Sequence, residues 1–397
     1  MIFGIKNAVF LAALYVAPAA LNAQVDFKLF DRTFQVHGFA SQGFAYSGQN
    51  NYLTMKTSTG SFAMTDGGVT VSSQLTDKFR VGAQIYDRNV GELGKWRPQL
   101  DWAYGDYKFK DWFGVRAGKM KTALGLFNDT QDMEFLHTWA VLPQAVYPVD
   151  LRANVIAHTG ADMYGTVSLH KLGALNYTAY VGTRTNDPRG GYYLATADAG
   201  LAIKEFSGIV GGWDARWNTP IEGLMIGGSW LNQTENINGT IAPYGNAPIQ
   251  ISDDFEQTTA VYADYMRGKW HFNGEFRRNK NVLDISLLGA RSQADAGDKG
   301  WFVSAAYHVT KKLEMGVYNS RYYVNIPTTP IPAGDHIFDQ AVTARYDITR
   351  FWNVKVEGHF IDGYGDLYSA HGFYLGSNPQ GLKPTTNMLV IRTGFNF

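Results

Sequence analysis

Stretches of about ten residues in which apolar and polar side chains alternate recur along almost the whole chain. This period-two pattern constrains the fold more than any other feature. Successive side chains of a strand point to opposite faces, so each stretch codes for a strand with one apolar and one polar face. The pattern predicts strands at 33–47, 61–75, 78–90, 98–109, 113–120, 160–171, 175–185, 207–218, 222–234, 256–266, 270–281, 299–309, 313–324, 336–348, 352–363 and 386–397. That makes sixteen, an even number.

The two faces differ in kind. Phe79, Val81, Ala83 and Ile85 share one face, while Arg80, Gln84 and Arg88 share the other. Trp270, Phe272 and Phe276 oppose His271, Asn273, Glu275 and Arg277. Val342, Ala344 and Tyr346 oppose Thr343, Arg345 and Asp347, and Trp352, Val354 and Val356 oppose Asn353, Lys355 and Glu357. Charges at this density fit neither lipid nor a dry core without partners. Lipid outside and water inside satisfies both faces. An open sheet edge would leave N–H and C=O groups unpaired in hydrocarbon, so the strands have to close on themselves.

The connections point the same way. Short ones, at Thr76-Asp77, Lys110-Asp111, Leu172 to Ala174, Arg267 to Lys269, Thr310 to Lys312 and Thr349 to Phe351, alternate with long ones at 48–60, 121–159, 186–206, 235–255, 282–298, 325–335 and 364–385. Tight turns on one side and long loops on the other define an up-and-down transmembrane barrel. The expected fold is therefore all-β: a transmembrane antiparallel barrel of about sixteen strands over residues 24–397.

Composition excludes the competing classes. There is no cysteine, hence no disulfide framework or thiolate metal site. Thirty-five basic residues balance thirty-five acidic ones, which is no footprint for nucleic acid. A hydrophobic content of 45% argues against disorder, and a mean hydropathy of −0.21 argues against a bundle of membrane helices. The first 23 residues read as an export signal: Lys6 supplies the positive start, Ala8 to Leu21 the apolar stretch, and Ala23–Gln24 the cleavage point.

Phe79, Phe113, Trp217, Trp270 and Trp352 flank the short turns, as in an aromatic girdle at the headgroup level. At the end of the chain Leu389, Ile391, Phe395 and Phe397 share one face. A last amphipathic strand ending in Phe resembles the terminal strand of bacterial outer-membrane proteins. The segment Val115-Arg116-Ala117-Gly118-Lys119-Met120-Lys121-Thr122-Ala123-Leu124-Gly125-Leu126 carries Arg-x-Gly-x-x-Lys followed by Gly-Leu. With Val36-His37-Gly38-Phe39 and Gly394-Phe395-Asn396-Phe397, it resembles the sixteen-stranded porin superfamily that includes the phosphate-selective porins. The resemblance covers the mature chain at the level of strand pattern. It implies a homotrimer in outer-membrane lipid and a role for Phe397 as a signal to the assembly machinery.

Sixteen strands leave an aqueous channel, and what narrows it sets its function. Counting 91–97, segment 121–159 is the third long connection, the one that folds inward in the sixteen-stranded porins. It carries Asp129, Asp132 and Glu134 and is broken by Pro143 and Pro148. Arg80, Arg116, Arg184, Arg216, Arg277, Arg345 and Arg392 fall on inward faces, and Lys119 and Lys121 adjoin the loop. Arginines facing loop acids would set up a transverse field that tunes ion preference; the inward acids Asp162, Asp214, Asp264, Glu275 and Glu357 oppose strong anion selectivity. The expectation is passive diffusion of small hydrophilic solutes and ions, with at most a mild preference for anions and with no cofactor, metal or catalytic step. Alternatives are a barrel enzyme or an uptake channel specific for phosphate or another anion. Against the enzyme, His37, His170, His271, His308 and His359 lie on separate strands without a nucleophile motif. Against phosphate, the loops hold no dense run of lysines.

Overall fold

The computed structural model describes residues 25–29, 32–184, 187–325, 332–365 and 373–397. The expected export signal lies outside them. The barrel strands are β1 Arg32–Ser47, β2 Ser61–Gln74, β3 Phe79–Val90, β4 Gln99–Lys110, β5 Phe113–Lys121 and β6 Ala157–Ser168. They continue as β7 Ala174–Arg184, β8 Ile209–Asn218, β9 Leu224–Ile241, β10 Ala247–Arg267 and β11 Trp270–Lys280. The last are β12 Asp298–His308, β13 Leu313–Val324, β14 His336–Thr349, β15 Trp352–Gly363 and β16 Thr385–Asn396. Each pairs antiparallel with the next, and β16 returns to β1 through Phe39↔Asn396 to Ser47↔Met388. The ring is a closed sixteen-stranded antiparallel barrel.

Closure places the two faces of every strand in different surroundings. Ile85, Val181, Val261, Val303 and Phe360 are each more than half exposed, whereas Gln84, Lys355 and Glu357 are 0% exposed. Apolar outside and charged inside inverts the arrangement of a water-soluble protein, in which exposed apolar patches stay small. Trp112, Trp217, Trp270 and Trp352 are exposed on the outer face beside the short turns. The Trp217 indole N–H donates to the Leu172 carbonyl at 2.7 Å and that of Trp352 to Thr393 Oγ1 at 2.8 Å, so each ring combines an apolar body with a satisfied polar edge.

The structure departs from the expected boundaries at one part of the long-loop rim. Residues 235–255 and 282–298 read as loops, but β9 and β10 continue pairing past a bulge at Gln233/Glu235 as far as Ile241↔Ala247. Asp253, expected in a polar loop, pairs with Glu235. A hairpin of Val282–Leu287 and Ala290–Asp295 pairs onto Ile249 to Ser252. On the other flank Leu201–Ser207, which follows a helix at Gly191–Asp198, pairs onto β9. The physical reason is a second apolar core: Leu201, Ile237, Ile249 and Ile251 are buried together, with Tyr192, Phe206 and Ile285 packed against them. Burial of these side chains supports strand pairing beyond the barrel wall.

Candidate functional site

Segment 122–156, between β5 and β6, has little regular structure: a 3-10 turn at Glu134–Leu136 and a short helix at Arg152–Val155. Its backbone groups therefore need partners from elsewhere, and inward side chains of the wall supply them. From β8, Arg216 donates to the Gly125 carbonyl at 3.2 Å, and Ser229 Oγ of β9 accepts from Gly125 N–H at 2.8 Å. Glu275 of β11 accepts from Leu126 N–H at 2.8 Å and from the Tyr147 hydroxyl; Arg277 donates to the Val146 carbonyl at 2.8 Å. Arg345 of β14 donates to the His137 carbonyl at 2.9 Å. On β15, Lys355 donates to the carbonyls of Glu134 and Trp139 at 2.7 and 3.0 Å, and Glu357 accepts from Ala140 and Val141 N–H at 2.9 and 3.1 Å. Arg392 of β16 reaches the Ala140 carbonyl at 2.8 Å, and Arg88 of β3 the Val149 carbonyl at 3.2 Å.

The backbone lies close to the wall where side chains leave room. Gly125 has φ of +67°, and a Cβ there would fall 2.2 Å from Glu275 Oε1. Gly300 of β12 faces the Ala145 carbonyl, 1.9 Å from where its Cβ would be. Neither position accepts a side chain without movement.

Two buried ionic clusters add to these contacts. Asp132 bonds both Lys121 and Arg152, and the same two cations reach Asp101 at 2.6 and 3.0 Å. Burial raises the Asp132 pKa, but Arg152 and Lys121 outweigh it and hold the carboxyl below the usual carboxylate range. Glu134 lies 2.5 Å from Lys355. Burial opposes its ionisation as well, yet Lys355 and then Arg392 pull its pKa down. Burying such pairs is costly unless further hydrogen bonds complete them, and the loop carbonyls do so for Lys355 and Arg392.

The sequence-predicted residues divide accordingly. Arg88, Arg277, Arg345 and Arg392 grip loop carbonyls rather than facing loop acids across open water. Arg392 also forms a two-point pair with Asp66 at 2.8 and 2.9 Å. Lys121, Asp132 and Glu134 are consumed in the buried clusters. Asp129 stays partly exposed, 3.9 Å from Arg216. Arg80 lies toward the short turns and donates to Ser72 Oγ at 2.9 Å. Arg116 is partly exposed, 3.7 Å from Asp106. Lys119 is a correction: it shares the outer face with Val115 and Ala117, pairs with Ala103 and Thr159, and bonds the Leu100 carbonyl. Alternation through Gly118 carries it outward. Phe397 bonds back to Gly38 through both backbone groups, at 2.9 and 3.1 Å, and completes the closure.

Lys355, Asp66, Asp101 and Arg152 were not singled out from the sequence. The inward parity of Lys355 was visible; its burial beneath a loop was not. Asp66 sits in a Gly-, Thr- and Ser-rich strand, and Asp101 at a bulge opposite Gln84/Ile85 in β3, where alternation gives no guide.

Between the segment and strands β4 to β8 a cavity of about 420 Å³ remains. Its charged lining is balanced: Arg116, Lys121 and Arg216 against Asp129, Asp162 and Asp214. A row of inward residues that runs into this lining reads Arg80, Asp106, Arg116, Asp162 through successive cross-strand pairs, with alternating sign.

No protein-family model matches the chain, and no curated protein sequence matches it. Solved structures do. The outer membrane channel DcaP of Acinetobacter baumannii superimposes with a TM-score of 0.56 at 10% identity, over 94% of this chain and 99% of that one. An anion-selective porin from Comamonas acidovorans gives 0.55 at 11% identity, over 92% of this chain and 100% of that one. OmpF of Salmonella typhi, solved with daunomycin, gives 0.56 at 11% identity, over 94% and 100%. At such identities the likeness establishes the fold, which is the barrel of the bacterial outer-membrane porins.

Proposed function

We propose that this chain is a porin of the bacterial outer membrane, a water-filled channel for passive diffusion of small hydrophilic solutes and ions. The observation that carries this is a closed wall, apolar outside and charged inside, with a cavity of about 420 Å³ left beside the segment 122–156. Its contacts with inward residues from β3 round to β16 support a role for that segment as the constriction. Purified mature protein added to a planar lipid bilayer should give stepwise, ohmic conductance. Detergent-solubilised barrel that never raises the membrane current would refute the reading.

Selectivity is weak in this reading. Three basic and three acidic residues line the cavity, and a slight anion preference rests on Arg80 and Arg116, which neither bond the loop nor, like Arg184, lie buried against two glutamates. Arg80→Ala with Arg116→Ala should move the reversal potential in a salt gradient toward cations. An unmoved potential removes the assignment and leaves the channel. The balanced lining also favours general diffusion over a phosphate-specific route, and we assign no catalytic step or cofactor.

Residues 1–23 serve as the export signal in this proposal, with Gln24 as the mature start; N-terminal sequencing of membrane-inserted protein tests it. A homotrimer is supported by the exposed Gln42, whose amide bonds the carbonyl of Phe62 at 2.9 Å on the outer side of β1 and β2. Lipid solvates such a group poorly, and a neighbouring subunit would cover it. Native mass in detergent decides between monomer and trimer.

A further inference from the structure

Four side chains on the inner wall form a continuous strip, of which the diffusion reading uses only Arg116. Trp102 and Tyr104 sit two residues apart on β4, with ring centroids 5.1 Å apart. The Arg116 guanidinium on β5 lies 5.7 Å from the Tyr104 centroid and 4.0 Å from that of Tyr164 on β6. Trp102, Tyr104 and Arg116 line the cavity. Tyr164 pairs with Gly114, itself opposite Lys108, so the strip descends from the level of Trp102 toward the short turns. At the rise of a strand, the six positions from 102 to 108 span roughly 20 Å.

The rings are seated flat by design of the neighbouring strand. A Cβ on Gly82 of β3 would lie 3.0 Å from Trp102 Cζ3, and one on Gly114 would lie 2.5 Å from Tyr164 Cζ. Each ring thus lies across a glycine of the wall instead of standing into the lumen. The Tyr164 hydroxyl is anchored by a 2.5 Å bond to Asp106. Polar groups border the strip: Asp162 and Asn176 line the same cavity.

We infer that this strip binds a neutral, hydroxylated ring solute, that is, a saccharide, and guides it along the channel. The inference rests on the channel reading and names its substrate class. Flat aromatic faces suit the apolar C–H faces of a pyranose, as they suit other apolar surfaces. Donors and acceptors that alternate along the rim suit hydroxyl groups, which both give and accept hydrogen bonds. The balanced cavity charge offers no net attraction to a simple ion, so a neutral occupant gains most from the site.

The test is single-channel recording of the full mature protein with maltotriose added to one side. The expected result is concentration-dependent interruption of the ion current. Trp102→Ala should weaken it roughly tenfold, the loss of one stacking face, with Trp102→Phe recovering much of it. Gly82→Val, which lifts the ring off the wall without deleting it, should also weaken the block. A channel that conducts ions but is interrupted by maltotriose no more than by a polyethylene glycol of equal size overturns the inference while the channel reading stands. Stronger interruption by benzoate than by maltotriose overturns it in favour of an aromatic acid. Absence of any conductance overturns both.

Discussion

Replacing Lys355 by Met tests whether the wall holds the segment 122–156 in place. Lys355 is 0% exposed and makes three contacts at once: 2.5 Å to the Glu134 carboxylate and 2.7 and 3.0 Å to two loop carbonyls. Met fills a similar volume but leaves Glu134 buried without its counter-ion. Breaking such a pair from one side costs about 3–5 kcal/mol, which is about two to three and a half powers of ten in a local opening equilibrium. The barrel ladder does not depend on this side chain, so the damage stays local. Residues 134–141 keep the grips of Arg345, Glu357 and Arg392, so the segment should fray rather than leave. The expected readout is rapid flicker in single-channel current and new protease cleavage near residue 134, with heat-resistant barrel mobility on gels retained. Glu134→Gln added to Lys355→Met removes the stranded charge and should restore much of the quiet current. If Lys355→Met is as quiet and protease-resistant as the parent, or the second change makes matters worse, the reasoning fails.

Burial holds His137 neutral, its pKa pushed down to about 4. An undocked loop takes up the proton first, near pH 6.5, so docking should weaken as pH falls from about 6.5 to about 4, by roughly 3 kcal/mol in all; current noise rising over that range, and flattened in His137→Asn, is the check. Asp132 and Glu134 have lowered pKa values, so their contribution persists above the ordinary carboxylate range and is lost only below it; a loosening at pH 5 that survives His137→Asn would contradict this. Gly125→Ala combines a positive φ with a Cβ 2.2 Å from Glu275, a strain of about 1–3 kcal/mol before any clash, and should enlarge the mean conductance. Deleting Phe397 removes two closing backbone bonds and should lower the yield of folded, heat-modifiable barrel; unchanged yield would mean that closure depends on the remaining β16 pairs.

The barrel was legible because lipid and water impose opposite demands on alternate residues. Strands such as β13 and β15 therefore announce both their extent and their orientation. The rim was less legible: Ile237, Ile249 and Ile251 alternate as strand residues do, but the polar residues between them read as a loop. The site was legible only in part. Parity placed Arg277, Arg345 and Arg392 on the inner face, but what they touch is loop backbone, and a carbonyl is the same in every residue. Nearness to the loop in sequence suggests Lys119 for the constriction, whereas alternation from the inward Arg116 through Gly118 turns it outward.

The wall binds the segment 122–156 largely by its main chain, at Gly125, His137, Trp139, Ala140, Val146 and Val149. Main-chain recognition is indifferent to side-chain identity. Exposed loop positions such as Leu136 are thus free to vary without loosening the anchorage, whereas each gripping residue on the barrel is committed. Diversification of what passes through would be cheapest on the loop, with the surrounding scaffold left as it is.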